Sequence, residues 1–271
     1  MLILLTGAAL WVASCSNKPT SAATPADSAT KASSLKVMSY NVHHCSPPSK
    51  PGEIDIEAIV RVISAQNPDV VALQEIDVHT ERSGKVNQAA EIAQLLEMNY
   101  YFGKAIDYAG GEYGVAILSK FPLSEAIVHP LPSKAETKGE PRVLATAKIM
   151  LADGTAIRFG STHLDAQKDP LNRKMQVEEI RRIASSEKLP FVIAGDFNAT
   201  PESDEMVMLD KSFTRTCQTC APTIPVVQPT KAIDFIAFKP AVKFSVASHQ
   251  VIQERYASDH LPVVALINMR K

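Results

Sequence analysis

The sequence predicts one α/β domain with a core large enough for two sheets, and three observations carry that expectation. The chain has 271 residues, 45% of them hydrophobic and 21% charged, which is the balance of an ordinary globular domain. Short apolar runs of strand length alternate along it with stretches of helical spacing. Several of the apolar runs stop on an amide, an acid or a histidine, so that a strand mouth would present that group.

The N-terminus stands apart. Leu2 to Val12 is apolar, is too short to span a bilayer, and leads through Val12-Ala13-Ser14-Cys15 into a Ser/Thr/Ala/Pro-rich stretch ending at Ser34. It reads as the core of a secretory signal. Small residues directly before Cys15 are similar to a bacterial lipobox, which implies cleavage before Cys15 and a lipid on its sulfur. A plain export signal or a frayed tail is the alternative, and no basic residue precedes the apolar run. Residues 16–34 then become a flexible tether, and the expected protein is a monomer held to a membrane of the cell envelope, with a domain from residue 35 to 271.

Leu35 to Val42 opens that domain as a strand with Asn41 at its end, followed by His43, His44 and Cys45. Ile56, Ile59, Val60 and Ile63 keep helical spacing between Ile54 and Gln66, and Asn67-Pro68 stops the helix. Asp69 to Leu73 is a buried strand that delivers Gln74 and Glu75. A glutamate directly after four apolar residues is costly to bury unless a cation or donor compensates it. A second helix covers Asn87 to Glu97, and Gly110 to Gly114 leads into a strand from Val115 to Leu118. Arg142 stands before a strand running to Met150. Asp153-Gly154 then turns a hairpin, and the return strand, Ala156 to Thr162, ends on His163, with Asp165 placed to orient that histidine.

Leu171 to Ser185 is a helix carrying Arg173 and Gln176. Phe191 to Ala194 is a buried strand, and Gly195 admits a close backbone approach just before Asp196. Asp196 and Asn198 share one side if the backbone stays extended, and Thr200-Pro201 forces the exit. Ala232 to Ile236 sets Asp234 in the middle of an apolar strand, where an acid must be paired or functional. Asp259 and His260 precede the last strand, Val263 to Ile267.

A formal net charge of -1 gives no overall basic field, which argues against tight nonspecific binding to long duplex DNA. With Cys15 taken by lipid, Cys45, Cys217 and Cys220 remain in an oxidising compartment. Cys217-x-x-Cys220 could be a disulfide, a redox pair or half a zinc site. Neither a second such pair nor a thioredoxin-like pattern is present, which favours a structural disulfide in a loop. Cys45 has no evident role.

Seven short clusters in order resemble the endonuclease/exonuclease/phosphatase superfamily, the DNase I-like fold: SYN at Asn41, QE at Glu75, YGVAILS from Tyr113, THLD at His163, GDFN at Asp196 and Asn198, IDFI at Asp234, and SDH at Asp259 and His260. The resemblance implies a four-layered α/β/β/α sandwich of two facing mixed sheets flanked by helices. It also implies an active site where strand ends from both sheets meet. The implied chemistry is hydrolysis of a phosphate ester with Mg2+, or Mn2+ in its place, on oxygen ligands.

On that resemblance Glu75 is the leading metal ligand, with Asn41 and Asp259 beside it. Asp196 activates the water, Asn198 holds a phosphoryl oxygen, His163 and His260 stabilise the transition state, and Asp234 fixes the tautomer of His260. Arg142, Arg173, His43 and Tyr113 are candidates for substrate contact. DNA-repair members of the superfamily commonly carry an Asp where this chain has His43, which argues against a second metal here. A phosphodiester substrate, nucleic acid or a phospholipid or sphingolipid head group, is expected. Phosphomonoesters of inositol or sugars, or a binding lipoprotein without catalysis, are the alternatives.

Overall fold

The computed structural model describes residues 33–270, together with Leu2, so Cys15, the apolar run and most of the tether lie outside the described residues. Two six-stranded mixed sheets lie face to face. The first contains β1 (Ser34–Asn41), β2 (Val70–Val78), β3 (Asn99–Tyr108), β4 (Gly111–Ser119), β11 (Phe244–Val251) and β12 (Val263–Met269), in the order β11-β12-β1-β2-β4-β3. The second contains β5 (Leu123–Leu131), β6 (Arg142–Met150), β7 (Ala156–His163), β8 (Phe191–Asp196), β9 (Thr214–Arg215) and β10 (Asp234–Lys239), in the order β5-β6-β7-β8-β10-β9. Ser34 already pairs with Asn268, so the last tether residue belongs to the sheet.

Three apolar layers account for the stacking. Leu35, Val37, Val70, Ala72 and Val115 from the first sheet meet Val143, Ala145, Phe159, Val192 and Ile236 from the second. Alternate residues of the same strands point the other way, as strand geometry requires. Met38, Tyr40, Val71 and Leu73 pack on α1 (Ile56–Gln66) and α2 (Gln88–Leu95), and Phe191, Ile193 and Phe235 pack on α3 (Leu171–Ser186) and α4 (Asp204–Asp210). This is the α/β/β/α sandwich. Helix starts follow local chemistry: Asp55, Asn87 and Ser203 each accept a backbone N–H of the first turn, and Asn67 closes α1 in the left-handed region at φ 47°.

Each sheet contains one parallel pair, β1 with β2 and β7 with β8, joined by α1 and α3 respectively. The carboxyl ends of these pairs hold Asn41 beside Gln74 and His163 beside Asp196. Ser161 of β7 bridges the sheets there, donating to Leu73 O at 3.2 Å. Thus both crossover units deliver their strand ends to one region.

One buried acid lies just outside it. Asp77 is wholly buried and accepts from Thr80 Oγ1, Ser83 Oγ, Arg82 Nε and Arg82 Nη2, at 2.5–2.8 Å. Removing it leaves those donors without their acceptor. Asp77→Ala is therefore expected to cost about 3 kcal/mol, the low end for a broken buried pair because the Arg82 side chain is 31% exposed. Chemical denaturation of the two proteins measures this.

Candidate active site

Strand register places the central residues before any side-chain contact is considered. In the second sheet His163, Asp196 and Asp234 form one row across β7, β8 and β10. Gly195 allows β8 to lie close to β7, since a Cβ there would collide with the Thr162 carbonyl. In the first sheet Glu75 is not at a strand end, as the sequence suggested, but inside β2. Leu73 pairs with Ala116 and Ile76 with Gly114, so Gln74 and Glu75 face the single residue Val115 across a bulge. Glu75 takes φ 60°, which turns its carboxylate out of the strand's alternation.

The groups converge. Asn41 Nδ2 donates to Glu75 Oε1 and to Asp196 Oδ2, at 3.1 Å each, and its Oδ1 accepts from the His43 N–H. His163 Nε2 and His260 Nε2 lie 3.5 and 3.7 Å from that same Asp196 Oδ2. Asp234 Oδ2 is 2.9 Å from His260 Nδ1 and also accepts from Thr223 Oγ1. A cavity of about 330 Å3 opens over Glu75, lined by Asp259, His43, His44, Tyr113, Tyr108, Arg82 and Glu140 among others.

The electrostatics follow from burial and neighbours. Burial, then the charge of Asp234, pushes the Asp196 carboxyl up to about 7 against the pull of His260, the Asn198 N–H and Asn41. Burial works against a charged His260, but Asp234, through its charge and hydrogen bond, and then Asp196 and Asp259, raise it to about 10. Burial and the Arg142 guanidinium hold His163 well below the usual imidazole range. Burial also opposes ionisation of Glu75, yet His44 and Asn41 keep its carboxyl well below the usual carboxylate range.

Several sequence-based assignments change. Arg173 makes no substrate contact: it is buried between α3 and α4, with Nε on Glu205 at 2.9 Å and Nη1 on the carbonyls of Asp165 and Gln167. Asp165 does not orient His163, because its carboxylate accepts from Asn172 Nδ2 at 3.2 Å. Arg142 does so instead, with Nη1 3.2 Å from His163 Nδ1. Asn198 leaves the extended backbone at φ 48°, its N–H on Asp196 Oδ1 and its Nδ2 on Leu164 O. Asp234 opens β10 instead of sitting at its middle. His43 and Tyr113 line the cavity, whereas His44, Arg82, Tyr108 and Glu140 were not foreseen. His44 had a local signal in its position three residues beyond Asn41, the amide of a named cluster; its approach to Glu75 comes from the left-handed turn at His43, His44 and Cys45 (φ 46°, 43° and 59°).

Cys217 and Cys220 form the expected disulfide, and Cys45 is a free thiol buried in the core under α1, where burial pushes it far above the usual range.

Two groups could hold a divalent cation. Asp196, Asp234 and His260 have ligand atoms within 4.8 Å of one another, although His260 already spends Nδ1 on Asp234. The other is Glu75, Asn41 and Asp259, an all-oxygen set of the kind hard cations prefer. There a single neutral amide, Asn41, separates two carboxylates, and His44 Nδ1 is buried 3.9 Å from Glu75 Oε2 without a hydrogen bond. A Glu75 carboxylate held in its ionised form with Asp259 on the same cavity fits a cation at this place.

Comparison with known proteins agrees with this arrangement. Over 253 aligned residues, spanning 87% of this chain and 97% of the relative, the sequence is 26% identical to the uncharacterized protein YbhP of Escherichia coli (strain K12). It is 26% identical over 189 residues to the inositol phosphosphingolipids phospholipase C of Schizosaccharomyces pombe, covering 64% of this chain and 43% of that protein. The crystal structure of an endonuclease/exonuclease/phosphatase from Beutenbergia cavernae superposes with a TM-score of 0.75 at 25% identity, over 87% of this chain and 72% of that one. Residues 38–260, from β1 to His260, match the Endonuclease/Exonuclease/phosphatase family as a whole. With the two-sheet sandwich and the convergent strand ends already in place, the chain belongs to that family and is an enzyme of it, a phosphoesterase.

Proposed function

We propose that this enzyme is a Mg2+-dependent phosphodiesterase, and the observation that carries the proposal is the single amide of Asn41 joining Glu75, which lines the cavity, to the buried Asp196. Glu75, Asn41 and Asp259 would hold the cation. When bound, it supplies charge neutralisation for the phosphate and its leaving oxygen.

The chain's own residues do the rest. Asp196 Oδ2 orients the attacking water and takes its proton, a task suited to a carboxyl lifted toward neutrality by burial and Asp234. His260, kept protonated by Asp234, places positive charge and an Nε2–H donor where the phosphoryl oxygens gain charge. Asn198 has one amide hydrogen on Leu164 O and offers the other to a phosphoryl oxygen.

The direct test is hydrolysis of bis(4-nitrophenyl) phosphate. Activity should disappear with chelator and return with Mg2+, with Mn2+ as a substitute. Glu75→Gln should lower kcat/KM by about 10–100-fold and weaken Mg2+ binding by calorimetry to a similar extent. A wild type inert with Mg2+ and every phosphate ester would favour a binding lipoprotein. A panel of plasmid DNA, sphingomyelin and inositol phosphates separates diester from monoester action. The similarity to a phospholipase C named for inositol phosphosphingolipids supports including lipid diesters.

The cellular placement is part of the same proposal: export, lipid attachment at Cys15 and a position at the cell envelope. The small residues before Cys15 and the Cys217–Cys220 disulfide support it, since such bonds persist in oxidising compartments. A mass spectrum of membrane-extracted protein with unmodified Cys15 would remove it.

A further inference from the structure

Two histidines approach the same carboxylate oxygen, yet the groups behind them carry opposite charge. Behind His260 stands the Asp234 carboxylate, 2.9 Å from Nδ1. Behind His163 stands a guanidinium, with Arg142 Nη1 3.2 Å from Nδ1. A guanidinium has only donors and stays protonated. The His163 Nδ1 facing it must therefore offer a lone pair and cannot carry a hydrogen. The ring hydrogen is left on Nε2, which points at Asp196 Oδ2 across 3.5 Å.

Arg142 is held in this pose. It is 6% exposed, its Nη2 lies 3.1 Å from Glu140 Oε2, and its Nε is buried without a hydrogen-bond partner. An unpaired donor on a buried cation is costly, and such a cost calls for an explanation in function. Glu140, Arg142, His163 and Asp196 thus form one file of groups leading from the cavity wall to the oxygen that both imidazoles share.

We propose that Arg142 is a positioning residue which fixes His163 as the neutral Nε2–H tautomer, so that His163 serves only as an uncharged hydrogen-bond donor and His260 alone of the two imidazoles brings positive charge to the site. The two imidazoles then have separate duties despite their similar distances from Asp196. The kinetic part of this inference rests on the phosphodiesterase reading, and its spectroscopic part does not.

The test is long-range 1H–15N correlation on histidine-labelled protein with Mg2+ present, the His163 signals being assigned by their loss in His163→Gln. In the wild type, Nδ1 of His163 should be bare and Nε2 protonated. Arg142→Met should scramble that pattern and lower kcat for bis(4-nitrophenyl) phosphate by about 10–100-fold with KM within about twofold. Arg142→Lys, which can still donate to Nδ1, should keep the pattern and most of kcat. Adding His163→Gln to Arg142→Met should lower kcat little further, because both changes disable one unit.

A hydrogen on Nδ1 in the wild type overturns the proposal outright. So does Arg142→Met with an unchanged His163 pattern and a loss confined to KM, which would make Arg142 a direct substrate contact. Should Arg142→Met fail to fold, the wild-type pattern and Arg142→Lys decide the matter. A wild type without any hydrolytic activity would end the phosphodiesterase reading while the tautomer pattern still decides this one.

Discussion

Asp196→Asn is expected to reduce kcat by about 10^3-fold or more while the protein becomes more resistant to heat at pH 8 in chelator. Both effects have one source. Asp196 is buried beside Asp234, and its carboxyl is pushed up to about 7 from an unfolded value near 3.8. A raised acid favours the folded state fully below its unfolded value and loses that contribution as pH rises through the folded one. At pH 8 the ionised carboxylate therefore opposes folding, and an amide of the same shape removes the opposition. The same amide cannot accept a proton from water. Scanning calorimetry at pH 8 and pH 5, with kinetics on one aryl diester, tests the pair of effects. The stability gain should shrink at pH 5, where Asp196 is largely protonated. A variant that kept near-normal kcat would remove Asp196 from the reaction.

Asp234→Asn should lower kcat by about 10^2–10^4-fold and move the alkaline limb of the rate profile to lower pH. In the wild type His260 is raised to about 10, against the effect of its own burial, by the charge and hydrogen bond of Asp234 and by Asp196 and Asp259. A form that must be protonated is present below that value and lost above it, so wild-type activity should persist well past pH 8. An asparagine at 234 removes the largest of the supporting charges. It can also present an amide N–H to Nδ1, which reverses the tautomer. The limb should then appear at least one pH unit lower. His260→Gln should abolish the limb altogether, and an alkaline limb unchanged in Asp234→Asn would assign it to another group.

The boundary between what the sequence reveals and what it hides follows burial. Every strand foreseen from the apolar runs, β1, β2, β4, β6, β7, β8, β10 and β12, lies inside a sheet, where both faces are covered and an uninterrupted apolar run results. The four strands not foreseen, β3, β5, β9 and β11, are the four edges, whose partly exposed faces carry mixed residues such as Glu125, Lys104 and His249. The short helix α4 was hidden for a similar reason: it offers only Met206 and Leu209, with a partly buried Met208, to the core.

The site divides the same way. Asn41, His163, Asp196 and Asp234 could be read because each adjoins an interior apolar run and strand register does the rest. The bulge that turns Glu75 is set by pairing with β4, which no local pattern encodes. Arg82 reaches the cavity through a buried bracket on Asp77, and Arg142 reaches His163 across β6 and β7. Such side-chain partnerships have no signature in spacing. The guanidinium of Arg173 was equally illegible, and its pairing with Glu205 ties together two helices.

The row of His163, Asp196 and Asp234 has a consequence for how this enzyme tolerates change. Its alignment is fixed by main-chain ladders on three neighbouring strands, not by the side chains alone. Conservative replacements in the apolar layers should leave the alignment untouched. Deleting one residue from β7 or β8 ahead of the row, or from β10 just behind it, would put the residues on the two sides of the deletion on opposite faces relative to one another. A library of single-codon deletions should thus show inactive clones concentrated in these three segments, while the exposed hairpin at Asp153-Gly154 accepts length variation.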